Sequence, residues 1–337
     1  MKKRVLTILK YIFFLALGLF LVWWTIKDLN ANDRSQIRTS LKHARYFLVV
    51  PVFIILISSH YVRALRWRLL IEPLGYTTKK SNALFSVMIG YLTNLAFPRL
   101  GEVVKCTALS RYEKIPVDKL IGTIILERIV DVLSLLLIFG ITLVIQPGFY
   151  TQLTETFFNH SSAAESGKSS ILLILLILAG CIALAVLTWM IIKKKKPADL
   201  FELIKNIISR VWEGVTTIRH LKRRMYFIFL TAALWMLYLF CGYIGFLALK
   251  ETEHYGIKEA FSVLSAGSIG MIVPTPGGIG SYAYLVQKTM ILYGLNEGIA
   301  LAFGWMLWVA QTGVLLIGGL FSFVALPYFN KNKIEKS

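Results

Sequence analysis

Apolar runs long enough to cross a lipid bilayer constrain this chain more than any other feature of its sequence. Because a helix rises about 1.5 Å per residue, roughly 20 apolar residues are enough to cross about 30 Å of hydrocarbon. A spanning segment must also satisfy its own backbone hydrogen bonds inside lipid, which a helix does. We therefore predict an all-α polytopic membrane protein with about six full spans, in residues 5–26, 46–62, 120–145, 171–192, 226–249 and 299–326.

The composition agrees with a membrane protein and excludes several classes of function. Of the 337 residues, 56% are hydrophobic and 16% are charged, against about 25% charged residues in soluble proteins. The net charge of +19 comes from Lys and Arg between the apolar runs, as positive-inside loops require, so we expect no nucleic-acid partner. The three cysteines and five histidines lack metal-site spacing, so we expect no metal or cofactor. Because HExxH, GxSxG and P-loop motifs are absent, we do not expect an enzyme.

A shorter apolar stretch, residues 81–97, stops at a break that carries charge. Proline ends a helix because it lacks an N–H group and disfavours helical backbone in the residue before it. A charged break between apolar runs needs shelter from lipid, in protein or in a water-filled cavity. We predict a re-entrant helical hairpin over residues 81–112, with candidate site residues Asn94, Pro98, Arg99, Gly101 and Glu102.

The apolar run 120–145 contains the charged residues Glu127, Arg128 and Asp131. The uncharged part, residues 132–145, reaches only about 21 Å, so the charged turn must lie within the membrane zone. Each charge there costs on the order of 2.5–3.5 kcal/mol. Glu127 and Asp131 share a helix face, and Arg128 can reach Asp131 three residues on. We expect all three side chains to face the protein interior.

A second short apolar stretch, residues 260–273, ends at a proline- and glycine-rich break and predicts a second re-entrant hairpin over residues 260–293. The N–H groups at the start of a helix can hold a phosphate. Alternatively, the glycines serve only to allow a tight turn. The candidate site residues of this break are Pro274, Pro276, Gly277, Gly278 and Gly280.

Arg99 and a cluster of three arginines after the second span each allow two interpretations. The two-pronged guanidinium of Arg99 suits a lipid phosphate. It equally suits a structural ion pair, with Glu102, Glu127 or Asp131 as the partner. The cluster after residue 62 is either a positive-inside anchor or a phosphate-gathering patch; its members are Arg63, Arg66 and Arg68.

The distribution of lysines predicts the topology. The span 171–192 ends in four lysines, which marks its end as cytoplasmic, and residues 197–224 have the period of an amphipathic helix on that leaflet. We expect cytoplasmic termini, with external loops at residues 27–45 and 146–170. Residues 1–146 and 171–326 then each contain span, span, hairpin and span, in opposite orientation. Such an inverted repeat is the arrangement in which transporters build a midplane site from broken helices.

Three motifs in order carry a family resemblance: Asn94 with Phe97-Pro98-Arg99-x-Gly101-Glu102, then Glu127-Arg128-x-x-Asp131, then Pro274-x-Pro276-Gly277-Gly278-x-Gly280. The chain resembles the flippase-like family, also known as the lysylphosphatidylglycerol synthase transmembrane region, over nearly its whole length. The resemblance implies a bacterial or archaeal inner-membrane protein that moves or handles an anionic or aminoacylated lipid between leaflets. The synthases of that group carry a large cytoplasmic aminoacyl-transfer domain after the membrane region. Because this chain ends at Ser337, we expect no lysyl transfer from tRNA.

These observations favour a lipid translocase of the inner membrane. Its cargo would be an anionic or aminoacylated phospholipid, or a polyprenyl-phosphate-linked lipid. Arg99 and the backbone of residues 277–280 would hold the headgroup phosphate between the hairpins, while the tails stay in lipid. Two alternatives remain open: a small-solute or ion-coupled secondary transporter, and a non-transporting partner of a cell-envelope enzyme.

Overall fold

The computed structural model describes residues 15–27, 30–146 and 221–331, and these are almost entirely α-helical, without a β-strand. The all-α fold predicted from the apolar runs is thus confirmed. The helices are α1 Leu15–Ile26, α2 Ala31–Lys42, α3 Val49–Ile71, α4 Lys80–Ala96, α5 Leu100–Glu113, α6 Val117–Ile145, α7 Arg224–Phe246, α8 Ile257–Ile272, α9 Ser281–Leu292 and α10 Glu297–Tyr328.

The chain divides into two compact units. Residues 1–135 and 221–337 form the first unit, and residues 136–220 form the second. Every contact described below lies within the first unit. The described part of the second unit comprises the end of α6 and Gln146. The predicted span 171–192, the predicted amphipathic helix 197–224 and nearly all of the predicted external loop 146–170 lie outside the described residues.

Four helical segments of the described chain are long and apolar enough to cross a bilayer. They are Tyr46–Leu74, Val117–Ile145, Arg224–Phe246 and Glu297–Tyr328. Each contains or largely overlaps a predicted span, because length and hydropathy alone decide this property. The protein is therefore a multi-pass membrane protein, and the total of six full spans stays a prediction.

Two pairs of shorter helices fold back on themselves at the predicted breaks. In the first pair, Asn82 on α4 donates a hydrogen bond to Glu113 at the far end of α5, at 2.7 Å. In the second, Tyr293, which follows α9, donates to Ser262 on α8, at 2.7 Å. The order long helix, hairpin, long helix thus occurs twice, as α3 to α6 and as α7 to α10. Membrane re-entry and the inverted orientation stay predictions.

Glycines let the first hairpin close tightly. A Cβ atom added to Gly101 on α5 would lie 1.9 Å from the carbonyl oxygen of Gly90 on α4. A separation this short is a steric overlap, so the backbones of α4 and α5 can approach this closely only without a side chain at Gly101.

Two hydrophobic cores hold the hairpins in place. The first packs α3, α4, α5 and α6 around the buried Trp67 and Leu109. The second packs the helices α7 to α10 around Phe246 and Phe303, whose rings stack with centroids 5.1 Å apart. Helix α3 also packs against α7, and α4 packs against α10. Each hairpin therefore packs against long helices.

The polar segment 27–45, predicted as an external loop, contains helix α2. The prediction of a loop without helix was therefore wrong, and the external location stays a prediction. Asn30 and Asp33 form a reciprocal capping box at the N-terminus of α2, each side chain accepting from the other residue's N–H group. Such a box provides acceptors for two backbone N–H groups that would otherwise lack a partner at the start of the helix, and it stabilises even a polar helix. Helix α2 packs against α10.

Candidate functional site

The two hairpin breaks meet each other. At the first, the Asn94 side chain accepts a hydrogen bond from the Gly101 N–H at 2.8 Å, which spans the turn between α4 and α5. Arg99 in this turn has left-handed backbone, with φ 68°. At the second, a Cβ atom added to Gly277 (φ 57°) would lie 2.7 Å from Cδ2 of Leu95 near the end of α4. The second turn therefore contacts the first directly.

The second break uses much of its own backbone to form the turn. The N–H groups of Gly278 and Ile279 donate to the carbonyl groups of Thr275 and Pro276, both at 3.1 Å. The Gly277 carbonyl accepts from the Trp308 indole on α10 at 2.9 Å. This geometry favours glycines that permit a tight turn over an open cradle of N–H groups.

Beside the breaks lies a buried cluster of ion pairs centred on Glu127 of α6. Its carboxylate is 0% exposed and contacts Arg63 at 3.0 Å, Arg66 at 3.5 Å and Lys105 at 2.8 Å. Asp131, one turn further, contacts Arg63 at 2.8 Å and Arg66 at 2.5 Å. The cluster joins α3, α5 and α6, so breaking it would expose several unpaired charges at once.

This cluster corrects both interpretations of the α3 arginines. Arg63 and Arg66 are buried and paired with carboxylates, so they form neither an anchor at the membrane surface nor a free phosphate patch. Arg68 instead donates to the Thr78 carbonyl at 2.8 Å. The prediction that the charged turn faces the interior is confirmed for Glu127 and Asp131, because neither side chain exceeds 13% exposure. It was wrong for Arg128, whose side chain is 43% exposed.

A second, looser ion pair lies next to the first break. Arg128 on α6 contacts Glu102 on α5 at 3.0 Å, with side-chain exposures of 43% and 38%. Arg128 also approaches Asp131 to 3.8 Å, as the spacing predicted. Exposed pairs of this kind are worth at most about 1 kcal/mol, so this contact can open readily.

Arg99 has no ion-pair partner among the described residues, and its side chain is exposed. The carboxylates proposed for it are held by other cations: Glu102 by Arg128, and Glu127 and Asp131 mainly by α3. The prediction of a structural ion pair for Arg99 was therefore wrong.

A cavity of about 470 Å³ opens between the two breaks and the charged turn. This volume lies in the range of about 300–1,000 Å³ typical of ligand pockets. The predicted residues that line it are Asn94, Pro98, Arg99, Glu102, Arg128, Asp131, Pro274, Gly277 and Gly278. A single cavity thus brings together residues from all three sequence motifs.

The other four predicted site residues lie outside the cavity wall. Gly101 is in the α4–α5 contact, and Glu127 is buried behind Arg63. Pro276 begins the second turn. A Cβ on Gly280 would lie 2.7 Å from the Gly18 carbonyl oxygen, so Gly280 faces α1 instead. A ligand-binding role for any predicted site residue stays a prediction.

Several residues of the cavity wall are not among the predicted site residues of the three motifs. Arg63 and His60 on α3 line it, although only 6% and 8% of their surfaces are exposed. Trp235 and Tyr238 on α7 also line the cavity, and Tyr238 accepts a hydrogen bond from Arg63 at 3.3 Å. One pattern in the sequence indicated this pairing of α3 with α6. Two arginines three residues apart lie on one face of a helix, as do two carboxylates four residues apart, so the two faces can form ion pairs when the helices pack together.

The sequence also matches known proteins. The sequence profile of the family described as "Lysylphosphatidylglycerol synthase TM region" matches residues 11–319. A UPF0104 membrane protein of Methanocaldococcus jannaschii is 26% identical over 133 residues, which are 39% of this chain and 36% of that protein. The glycosyltransferase AglD of Haloferax volcanii is 28% identical over 113 residues, which are 33% of this chain and 18% of that protein. The matches thus cover well under two thirds of either relative, whereas the family profile includes both breaks and the charged turn.

Proposed function

The chain belongs to the Lysylphosphatidylglycerol synthase TM region family, and on this premise we propose that it is a lipid translocase. It moves a lipid with an anionic headgroup between the leaflets of the cytoplasmic membrane, with both chain termini on the cytoplasmic side. The family description names a membrane lipid, which supports a lipid as the cargo.

The charge of the cavity carries this proposal. Arg63, Arg99 and Arg128 line it with Glu102 and Asp131, and directly behind them Arg66 and Lys105 contact Glu127. Five cationic side chains thus face three carboxylates, a formal excess of two positive charges. A cleft whose low-dielectric walls carry such an excess of one sign focuses the electric field and attracts anions. A lipid phosphate supplies the missing negative charge and can bind a guanidinium with two parallel hydrogen bonds.

The buried ion pairs of Glu127 and the half-exposed Arg128–Glu102 pair then have different roles. The buried pairs of Glu127 stay closed, because separating them would leave unpaired charges in a dry interior. The half-exposed Arg128–Glu102 pair can open at small cost, so a phosphate can replace Glu102 on Arg128 while Arg99 binds it from the other side. Exchange between a carboxylate and a phosphate allows the headgroup to bind without being trapped. The acyl chains remain in the bilayer throughout.

Leaflet exchange of a fluorescent phosphatidylglycerol in proteoliposomes tests the proposal. Arg99→Ala should slow exchange by about 10- to 100-fold, the equivalent of a charge-assisted hydrogen bond worth about 1.5–3 kcal/mol. Arg111→Ala is the matched control, because Arg111 is also an exposed arginine of the same hairpin but does not line the cavity.

Equal exchange by the wild type and Arg99→Ala would refute the role of Arg99. Exchange no faster than in protein-free vesicles, for every lipid tested, would refute translocation and leave the solute transporter and the enzyme partner as the alternatives.

A further inference from the structure

Three apolar residues of the cavity wall are also exposed at the surface of the protein. Val132 on α6 is 54% exposed, and Met271 and Ile272 at the end of α8 are 45% and 61% exposed. Deeper residues of the same wall, such as His60 and Arg63, are only 8% and 6% exposed. A side chain that both lines a cavity and is largely exposed lies where the cavity opens. Val132, Met271 and Ile272 therefore bound a mouth of the cavity.

This mouth lies at the depth of the hydrocarbon layer. Val132 is close to the midpoint of α6, Val117–Ile145, and so lies about 20 Å along the helix axis from either end. The hydrocarbon core of a bilayer is about 30 Å thick, so the midpoint of a spanning helix is surrounded by lipid chains. An opening at this depth faces hydrocarbon, whereas the entrance for a water-soluble substrate must face water.

The side of α6 that faces the cavity changes from charged to apolar within two turns. Arg128 and Asp131 are followed on this side by Val132 and Leu135, and all four line the cavity. Their spacing of three, four and seven residues from Arg128 places them on one helix face. Arg128 and Leu135 are about 10 Å apart along the axis. This gradient matches an amphiphile whose phosphate lies at the charged end and whose chains lie at the apolar end.

Helix α8 forms its part of the cavity wall without a charged side chain. Small and apolar residues predominate there: Val263, Leu264, Gly267, Ser268, Met271 and Ile272. Such a surface suits a hydrocarbon chain, because a chain that lies against it makes dispersion contacts and leaves no polar group without a partner. The mouth is therefore apolar on both α6 and α8.

We propose that the hydrocarbon chains of the bound lipid leave the cavity through the mouth bounded by Val132, Met271 and Ile272. This inference rests on the proposed function and adds the place at which the protein contacts the chains. The phosphate then binds at the charged end of the α6 gradient, while the chains pass sideways into the bilayer. The mouth contacts only the chains, so it accepts lipids with aminoacylated and with unmodified headgroups alike.

Photo-cross-linking in proteoliposomes tests the contact with the chains. The photoreactive residue p-benzoylphenylalanine replaces Val132 in one variant and Val309 on α10 in the other. Val309 is the matched control, because it is 57% exposed and does not line the cavity. The probes are phosphatidylglycerol and diacylglycerol with identical alkyne-tagged chains.

The headgroup should decide the cross-linking at position 132 but not at position 309. At position 132 we expect phosphatidylglycerol to cross-link about tenfold more than diacylglycerol, because the cavity holds its phosphate by at least one charge-assisted hydrogen bond. At position 309 both lipids reach the residue from the bulk bilayer, so they should cross-link equally.

A pair of tryptophan variants tests the mouth as a path. Ile272→Trp puts a larger side chain into the mouth and should slow leaflet exchange of fluorescent phosphatidylglycerol about tenfold. Ile317→Trp on α10 is the control, because Ile317 is 62% exposed, against 61% for Ile272, and does not line the cavity. It should leave the exchange rate unchanged. Both substitutions replace exposed apolar residues with another apolar residue, which a lipid-facing surface tolerates.

Each outcome supports or overturns a stated part of the inference. Equal cross-linking of the two lipids at position 132 would overturn the mouth as the place of the bound chains, and no cross-linking of either lipid there would show that protein covers it. Exchange by Ile272→Trp at the rate of Ile317→Trp would overturn the path. Headgroup-dependent cross-linking without leaflet exchange would refute translocation and support the chain site, whereas exchange without headgroup dependence at position 132 would do the reverse.

Discussion

Neutralising Glu127 tests whether the buried cluster holds the site together. In Glu127→Gln the side chain keeps its shape but loses the charge that faces Arg63, Arg66 and Lys105, at 3.0, 3.5 and 2.8 Å. Asp131 alone would then face the two arginines, and Lys105 would lose its carboxylate partner. Removing one partner of a buried ion pair costs about 3–5 kcal/mol, because the remaining charge cannot reach water.

The half-exposed pair beside the first break provides the matched control. Glu102→Gln makes the same chemical change at a carboxylate that is 38% exposed and pairs with an arginine that is 43% exposed. Water replaces the lost contact there, so the free energy of unfolding should fall by at most about 1 kcal/mol. The two variants differ mainly in the burial of the carboxylate.

Unfolding by sodium dodecyl sulfate in mixed micelles, followed by circular dichroism, measures both variants. A double variant, Glu127→Gln with Lys105→Met, should be less destabilised than Glu127→Gln alone, since it removes one of the uncompensated cations. If Glu127→Gln costs no more than Glu102→Gln, the cluster does not stabilise the fold and its assignment as a fixed framework is wrong.

Two further predictions concern the first break. Gly101→Ala should lower the free energy of unfolding by about 3 kcal/mol or more, because the new Cβ would overlap a backbone oxygen on Gly90. Gly122→Ala is the control, because a Cβ there meets no atom of the described residues within 4 Å; it should be neutral or stabilise α6 by up to about 1 kcal/mol. Equal effects of the two variants in the same micelle assay would contradict the close helix contact. Asn94→Ala should cost about 1 kcal/mol by removing the acceptor of the Gly101 N–H, whereas Asn94→Asp keeps an acceptor and should retain most of the stability; equal losses would show that this hydrogen bond does not stabilise the turn.

The helices and breaks were predictable because they depend on properties that run along the chain. Hydropathy over about 20 residues locates a spanning helix, and a proline with nearby glycines locates a break, whatever the neighbouring helices are. Helix α2 was missed although its Asn30 and Asp33 have the spacing of a capping box, because its polar composition suggested a loop. Such a capping pattern indicates a helix start even where the composition is polar.

Which charged side chains form ion pairs with each other could not be predicted from such local properties. One of the two interpretations of Arg99 paired it with Glu102, Glu127 or Asp131. In the structure, α3 lies against α6 and brings Arg63 and Arg66 to those carboxylates across more than sixty residues. Which helices become neighbours depends on the packing of whole apolar faces, and a local pattern of charges does not contain that information.

The pairing that sequence reasoning missed is what leaves Arg99 available. If Glu127 and Asp131 had only Arg99 and Arg128 as partners, binding a phosphate would require breaking buried pairs, at several kcal/mol each. The α3 arginines and Lys105 instead compensate the buried carboxylates and add positive charge behind the cavity. In the proposed function, Arg99 and Arg128 at the cavity wall bind and release the phosphate in the field of the buried ion pairs. Under the proposed function, such a site would combine attraction for an anionic headgroup with a low cost of exchange, as repeated transfer between leaflets requires.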